Sequence, residues 1–330
     1  MAEHNRLSTR RSVLSQAAAG AAVIAGGAAS AQPAPAARER GPLVWMNMDQ
    51  KELDDSYDQA VYAPNQPLVH ARLAAANKRA RARIGEPQRF QYGPSEIEGV
   101  DVYKTKRANA PINVYIHGGA WRNGRSADFG LYGELFVKAG AHGVIVDFNN
   151  IDDVAGNLMT MARQVRSAVA WIYNNAEKFG GDRNRIYVTG HSSGGHLSGC
   201  VVTTDWRKEF GLPKDVVKGA MLASGMYDLK PVRLSKRSKY VNFTDDIEEE
   251  LSALRHLDRL NCPVIVAYGT QETPEFQRQA RDFAAAVKAA GKPVELIVGE
   301  GYNHFEIRET LANPYGLLGH AVLEQMKLPA

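Results

Sequence analysis

Gly190-His191-Ser192-Ser193-Gly194 is the stretch whose reading decides the fold. Before it runs Arg185-Ile186-Tyr187-Val188-Thr189, an apolar run of strand length. After it comes Gly195-His196-Leu197-Ser198-Gly199-Cys200-Val201-Val202, which reads as the start of a helix lined with small residues. A G-x-S-x-G pattern between a strand and a helix forces its serine into a strained turn, hydroxyl exposed above the sheet. Glycines on either side let strand and helix approach closely enough to close that turn. A chance small-residue turn would share the pattern, so the flanks and the partners elsewhere in the chain separate the two readings. Ser192 is the candidate nucleophile.

The next element lies upstream. Pro111-Ile112-Asn113-Val114-Tyr115-Ile116 reads as a strand that runs straight into His117-Gly118-Gly119-Ala120-Trp121. Acyl transfer creates an oxyanion, and each backbone N–H aimed at it contributes about 3 kcal/mol. Glycines allow such N–H groups to turn inward without a side chain obstructing the substrate. Gly118, Gly119 and Ala120, together with Ser193, are the candidate oxyanion donors, and His117 orients the loop.

A serine needs a base, and the base needs an acid to hold its tautomer. Glu272 follows the apolar run 263–269, and His304 follows the run 293–298. Ser192, Glu272 and His304 thus occur in the order Ser, acid, His, each just after a strand. Asp228, after the strand 217–224, competes for the acid position, with loop-holding as its other reading. Glu275 suits the N-terminus of the following helix. His191 and His196 sit on the elbow and cannot face Ser192, so they read as wall or packing residues. His70, His142, His256 and His320 lack a strand-end position.

Around these points strands and helices alternate. Helices are expected at 50–62, 66–84, 126–139, 155–178 and 275–290, and strands at 97–104, 111–117, 143–148, 185–189, 217–224, 263–269 and 293–298. The fold class is therefore α/β, a mostly parallel sheet with helices on both faces. The charged stretch 230–259 breaks the rhythm and reads as a small cap insert over the pocket. Its acidic run, 245–250, suits a helix N-terminus better than a metal site.

The chain of 330 residues carries a formal net charge of +4. Arg6, Arg10 and Arg11 against Glu3 supply +2 of it within residues 1–31, leaving +2 for the rest, too little to imply nucleic acid or an anionic membrane surface. The basic run 78–83 alternates with alanine and reads as a solvated helix face. Cys200 and Cys262, the two cysteines, form no disulfide framework and read as packing thiols. No metal-ligand spacing or phosphate-binding glycine loop occurs, so no metal and no cofactor are implied. Residues 1–31 read as an export segment: Ser8-Thr9-Arg10-Arg11-Ser12-Val13-Leu14 has the twin-arginine pattern, and Ala29-Ser30-Ala31 an A-x-A cleavage site. Its apolar stretch is too rich in Ala and Gly for a convincing membrane span. The expectation is a periplasmic or secreted protein, delivered by the twin-arginine machinery, with a linker at 32–44 and a single domain at 45–330.

Together, His-Gly-Gly-Ala-Trp (117–121), Gly-His-Ser-Ser-Gly-Gly-His (190–196) and Glu-Thr-Pro-Glu-Phe-x-Arg-Gln (272–279) resemble the kynurenine formamidase-like group of α/β-hydrolases, related to the hormone-sensitive-lipase-like esterases. The resemblance runs from about residue 50 to the C-terminus. It implies an α/β-hydrolase fold, with Ser192, Glu272 and His304 as triad and 117–121 as oxyanion loop; the group often has Asp where this chain has Glu272. An export segment departs from formamidases of cytoplasmic metabolism. The reading is thus an exported hydrolase of small, aromatic esters, carbamates or aryl amides, with N-formylkynurenine hydrolysis as the alternative. Trp121, Met226, Tyr227 and Tyr302 are candidates for a pocket rim that suits an aromatic group, with core packing as their other reading. A binding protein without turnover would be expected to lack a triad member, and none is missing.

Overall fold

Alternating apolar strands and amphipathic helices close into one eight-stranded sheet in the computed structural model, which describes residues 38–330. The expected export segment and the first part of the linker, through residue 37, lie outside the described residues. The folded body spans Gly41–Ala330.

It opens with a short hairpin, β1 (Leu43–Trp45) and β2 (Met48–Asp49), followed by α1 (Gln50–Ser56), α2 (Gln59–Tyr62) and α3 (Gln66–Ile84). The helix expected over 50–62 breaks at Tyr57 because Asp58 caps a new start, its carboxylate accepting from Ala60 N–H. Then come β3 (Gln88–Gln91), β4 (Gly99–Tyr103), β5 (Ala110–Ile116), α4 (Gly130–Lys138), β6 (His142–Val146) and α5 (Leu158–Asn175). The chain continues through β7 (Gly181–His191), α6 (Ser193–Val202), α7 (Trp206–Phe210), β8 (Val217–Ala223), α8 (Lys230–Leu234) and α9 (Asp245–Glu250). It ends with β9 (Val264–Gly269), α10 (Pro274–Ala289), β10 (Val294–Gly299) and α11 (Leu317–Gln325).

The sheet order is β10-β9-β8-β7-β5-β6-β4-β3, with every pair from β10 to β6 parallel and β4 and β3 antiparallel at one edge. Period-two alternation sends successive strand residues to opposite faces. Val114 and Ile116 join the core under α5, α6 and α10, where Val165, Leu197 and Phe276 are fully buried. Tyr115, Ile145 and Ile265 join the core beneath α3, α4 and α11, beside Val69, Phe136 and Leu318. Helices therefore cover both faces, as expected for parallel strands.

β3 and α11 go beyond the sequence expectation. In β3 one apolar residue stands among polar ones, as an edge strand permits, and α11 buries Leu318 and Val322 against the second core. Over 230–259 the chain forms short helices. Thr244 caps α9, and the acids of its run pair with Arg233 and Arg255. The run 78–83 is more than a solvated face, since Arg83 clamps Glu134 of α4 with two bonds of 2.6 Å. Both cysteines are free and buried, and burial pushes each thiol up to about 12.

From β5 the chain goes to β6 on one side, then returns to β7 on the other. That reversal opens a crevice at the carboxyl ends of the strands, where ligands bind in open α/β sheets.

Candidate active site

Ser192 stands at this reversal, between β7 and α6, with φ 61° and ψ −128°. A non-glycine residue there is strained, and the surroundings hold it: its N–H donates to Ala223 O (2.9 Å) and its carbonyl accepts from His196 N–H (3.0 Å). A Cβ at Gly194 would collide with the carbonyl oxygen of Ile116, so only glycine lets α6 start this close to β5.

His304 bridges the other two candidates. Its Nε2 lies 2.8 Å from Ser192 Oγ and its Nδ1 lies 2.7 Å from Glu272 Oε2. A carboxylate at that distance draws the ring proton to Nδ1, which leaves Nε2 free to accept from the serine hydroxyl. Glu272 Oε1 accepts from Ser224 Oγ–H (2.6 Å) and Gly269 N–H (2.7 Å). Burial pushes the Glu272 carboxyl up to about 7, while the bonds from Ser224 and Gly269 favour its charged form. Burial first, then Arg308, Arg237 and His70, holds His304 well below the ordinary histidine range, so the ring rests neutral.

The 117–121 loop lies beside the elbow. The His117 ring stacks between Phe129 and Phe148, and its Nδ1 sits 2.9 Å from Gly118 O. Gly119 has φ +125°, and a Cβ there would strike the carbonyl of Asn123. Arg122 and Asn123 N–H both donate back to Gly119 O, closing the loop, and Trp121 N–H donates to Ser193 Oγ (3.2 Å). Gly118, Gly119 and Ala120 line the cavity, and neither the N–H of Gly119 nor that of Ala120 meets an acceptor among the described residues. The N–H of Ser193, first in α6, is also open, as helix starts leave it.

A cavity of about 1260 Å³ opens over Ser192. The expected aromatic rim does not form it. Trp121, Met226 and Tyr227 are buried in the core: Trp121 packs edge-on against His196, and Tyr227 stacks on Phe283 with its hydroxyl donating to Leu222 O. Tyr302 turns its backbone onto Gly269, and its carbonyl accepts from Gln271 N–H. A strand-end position put these residues near the serine in sequence, but their side chains serve packing. The aromatic wall comes instead from Tyr57, Phe129, Tyr132, Tyr240 and Phe305.

The competitors fall elsewhere. Asp228 accepts from Lys230 N–H and pairs with Arg255, holding a loop. Glu275 receives Arg278 and the Tyr57 hydroxyl. His191 lines the cavity beside His304, ring centroids 4.6 Å apart, and His196 sits 3.1 Å from Leu251 O. Sequence reasoning missed Ser224, although it ends the strand beside the elbow. It also missed His70, which lines the cavity from α3.

Comparison with known proteins agrees with this architecture. A family profile described as BD-FAE matches residues 100–226. Two fish kynurenine formamidases are similar along almost their whole length. The one from Danio rerio is 28% identical over 295 residues, covering 86% of this chain and 98% of that relative. The one from Salmo salar is 29% identical over 303 residues, with the same coverage. Esterase LipC from Mycobacterium tuberculosis is 28% identical over 62% of this chain and 56% of its own. Among solved structures, a putative thioesterase from Silicibacter sp. superposes with TM-score 0.70 at 21% identity, covering 80% of this chain and 96% of that one. A thermophilic esterase from Thermogutta terrifontis gives 0.59 at 20% identity, covering 74% and 91%. The chain has the α/β-hydrolase fold. In sequence it is similar to kynurenine formamidases along most of its length and to an esterase over a shorter stretch.

Proposed function

We propose that this chain is a serine hydrolase that cleaves small carboxylic esters, or aryl amides and carbamates, through an acyl-enzyme. The observation that carries the reading is His304, bridging a strained Ser192 at 2.8 Å and a buried Glu272 at 2.7 Å. Ser192 Oγ attacks the acyl carbon while its proton passes to His304 Nε2. The oxyanion is held by the open N–H groups of Gly119, Ala120 and Ser193. Collapse breaks the bond to the leaving oxygen or nitrogen, which takes the proton from Nε2. Water then attacks the acyl-enzyme, giving its proton to His304, and the carboxylic acid leaves as Ser192 recovers its hydrogen. With its carboxyl ionised, Glu272 orients the ring throughout.

Similarity to the fish formamidases over 86% of the chain favours a second reading, cleavage of a formyl anilide such as N-formylkynurenine. A matched panel of p-nitrophenyl esters, aryl carbamates, anilides and N-formylkynurenine separates the two. Ser192→Ala should lower kcat by at least about 10⁴-fold on every substrate cleaved. Retained turnover in that variant removes the mechanism. The twin-arginine pattern at 8–14 supports export to the periplasm. A reporter fused to residues 1–31 should leave the cytoplasm only when Arg10 and Arg11 are intact.

A further inference from the structure

Arginines in this fold are mostly paired. Arg83, Arg89, Arg166, Arg233, Arg255 and Arg278 each meet a carboxylate within 4 Å. Several cations on the cavity wall are matched in the same way, Lys236 by Asp58, Arg81 by Glu86 and Arg122 by Asp152.

Arg237 and Arg308 are different. Both line the cavity with Ser192 and His304, and neither has a carboxylate partner among the described residues. Arg237 is only 5% exposed. Its guanidinium donates to Tyr240 Oη (2.9 Å) and Tyr57 O (3.2 Å), and it lies over the Trp121 ring at 5.3 Å. Those partners are neutral, and its Nε is buried with none among the described residues. Arg308, four residues after His304, is half-buried, and its buried Nε has no partner among the described residues. Burying a guanidinium without a counter-charge is costly, so cations of this kind are normally paired. Among the described residues no carboxylate pairs with either arginine, and both border the cavity. Both arginines also act on His304, which they depress, so their field reaches the reacting centre.

We propose that the cavity selects esters or amides that carry a carboxylate, held by Arg237 and Arg308 beside Ser192. The inference rests on the hydrolase reading above and adds the charge of its substrate. A guanidinium fork matches a planar carboxylate and is strongest where water is excluded. A cavity of about 1260 Å³ leaves room for the acyl group, the leaving group and the anion together.

Two substrate pairs test it. In the first, an acetoxybenzoate and its methyl ester differ by a charge on the leaving group. In the second, an aryl half-ester of a dicarboxylic acid and its methyl ester differ by a charge on the acyl side. The readout is the ratio of kcat/KM, charged over neutral. Arg308→Met should lower that ratio at least about tenfold in one pair, and the responding pair tells on which side the carboxylate sits. Arg237→Met should act likewise, and Arg237→Lys should restore part of the ratio. Because Arg237 is buried, Arg308→Met carries the test if Arg237→Met does not fold.

Binding is measured separately by titrating benzoate into Ser192→Ala. Its Kd should rise at least about tenfold when Arg308→Met is added, with benzamide unaffected. Ratios within about twofold of wild type in both pairs, with benzoate affinity unchanged, overturn the proposal. Arginine-dependent benzoate binding without ester or amide cleavage by the wild type would remove the proposed reaction and keep this site. Cleavage indifferent to charge would do the reverse.

Discussion

Two sides of Ser192 are built to opposite rules. On the acid-base side every participating polar atom is matched: both nitrogens of His304, both oxygens of Glu272 and the serine hydroxyl have partners within the protein. On the cavity side the N–H groups of Gly119, Ala120 and Ser193 have none among the described residues, and Arg237 and Arg308, which also line the cavity, have no carboxylate partner among them. Buried polar groups are normally satisfied. A matched set fixes one geometry in advance, whereas an open set leaves donors for a bound group to answer.

The sharpest way to break the matched side is Glu272→Gln. The amide would present an N–H to His304 or force the wrong ring tautomer, with little change in volume. A loss of roughly 10³- to 10⁴-fold in kcat is expected, with the melting temperature nearly unchanged, measured on the best ester of the panel. A loss below about tenfold would mean that another group orients His304.

On the open side, Gly119→Ala is the corresponding break. At φ +125° a side chain is strained, and its Cβ would meet the Asn123 carbonyl, so the loop must move and carry its N–H groups with it. About 10²-fold in kcat should be lost with KM much less affected, because the oxyanion forms only in the transition state. A KM effect alone would place this loop in ground-state binding.

The sequence exposed the matched side better than the open one. Ser192, Glu272 and His304 each follow a strand, and period-two apolar runs announce strands, so three distant positions could be brought to one sheet edge before any coordinates. The same logic misplaced Trp121, Met226, Tyr227 and Tyr302. Position at a strand end says where a backbone lies, not which way a side chain turns. The true wall is assembled from the residue that ends α1, from α4 and from the charged insert, through Tyr57, Tyr132 and Tyr240, and no local pattern announces contacts across such sequence distances. Arg237 lay unread in a basic stretch, because an unpaired arginine differs from a paired one only in three dimensions.

Acid should weaken the whole assembly. Burial holds His117, His191, His196 and His304 below the ordinary histidine value, with His196 at about 4. Their unfolded forms take up protons near pH 6.5 and the folded forms do not, so stability present above that pH is lost as pH falls. Glu272 works the other way: raised to about 7, it binds a proton in the fold before it does in the unfolded chain, so acid favours its folded form until about pH 4.5. Four groups against one give a net loss. His196 alone contributes about 2 kcal/mol between pH 6.5 and 5. Urea midpoints should fall over that range, and less in His196→Gln; a flat profile would mean that these rings are reached by water.

The finest test concerns Ser224, which touches no substrate and acts only through Glu272. Its hydroxyl donates at 2.6 Å to Oε1, the oxygen turned away from His304, and favours the ionised carboxylate. Ser224→Ala leaves the Gly269 N–H and His304 in place, so Glu272 should still orient the ring when charged. Its proton, however, should be held to higher pH. At pH 8 kcat should fall only a few-fold, about 1 kcal/mol, the net worth of one hydrogen bond. The acid limb of the pH–rate profile should move upward by a fraction of a unit or more. Ser224→Thr keeps the hydroxyl and should return the limb toward its wild-type position. A merely structural role would lower activity equally at every pH. A limb that moves with the hydroxyl makes Ser224 a positioning residue, one layer behind the matched side.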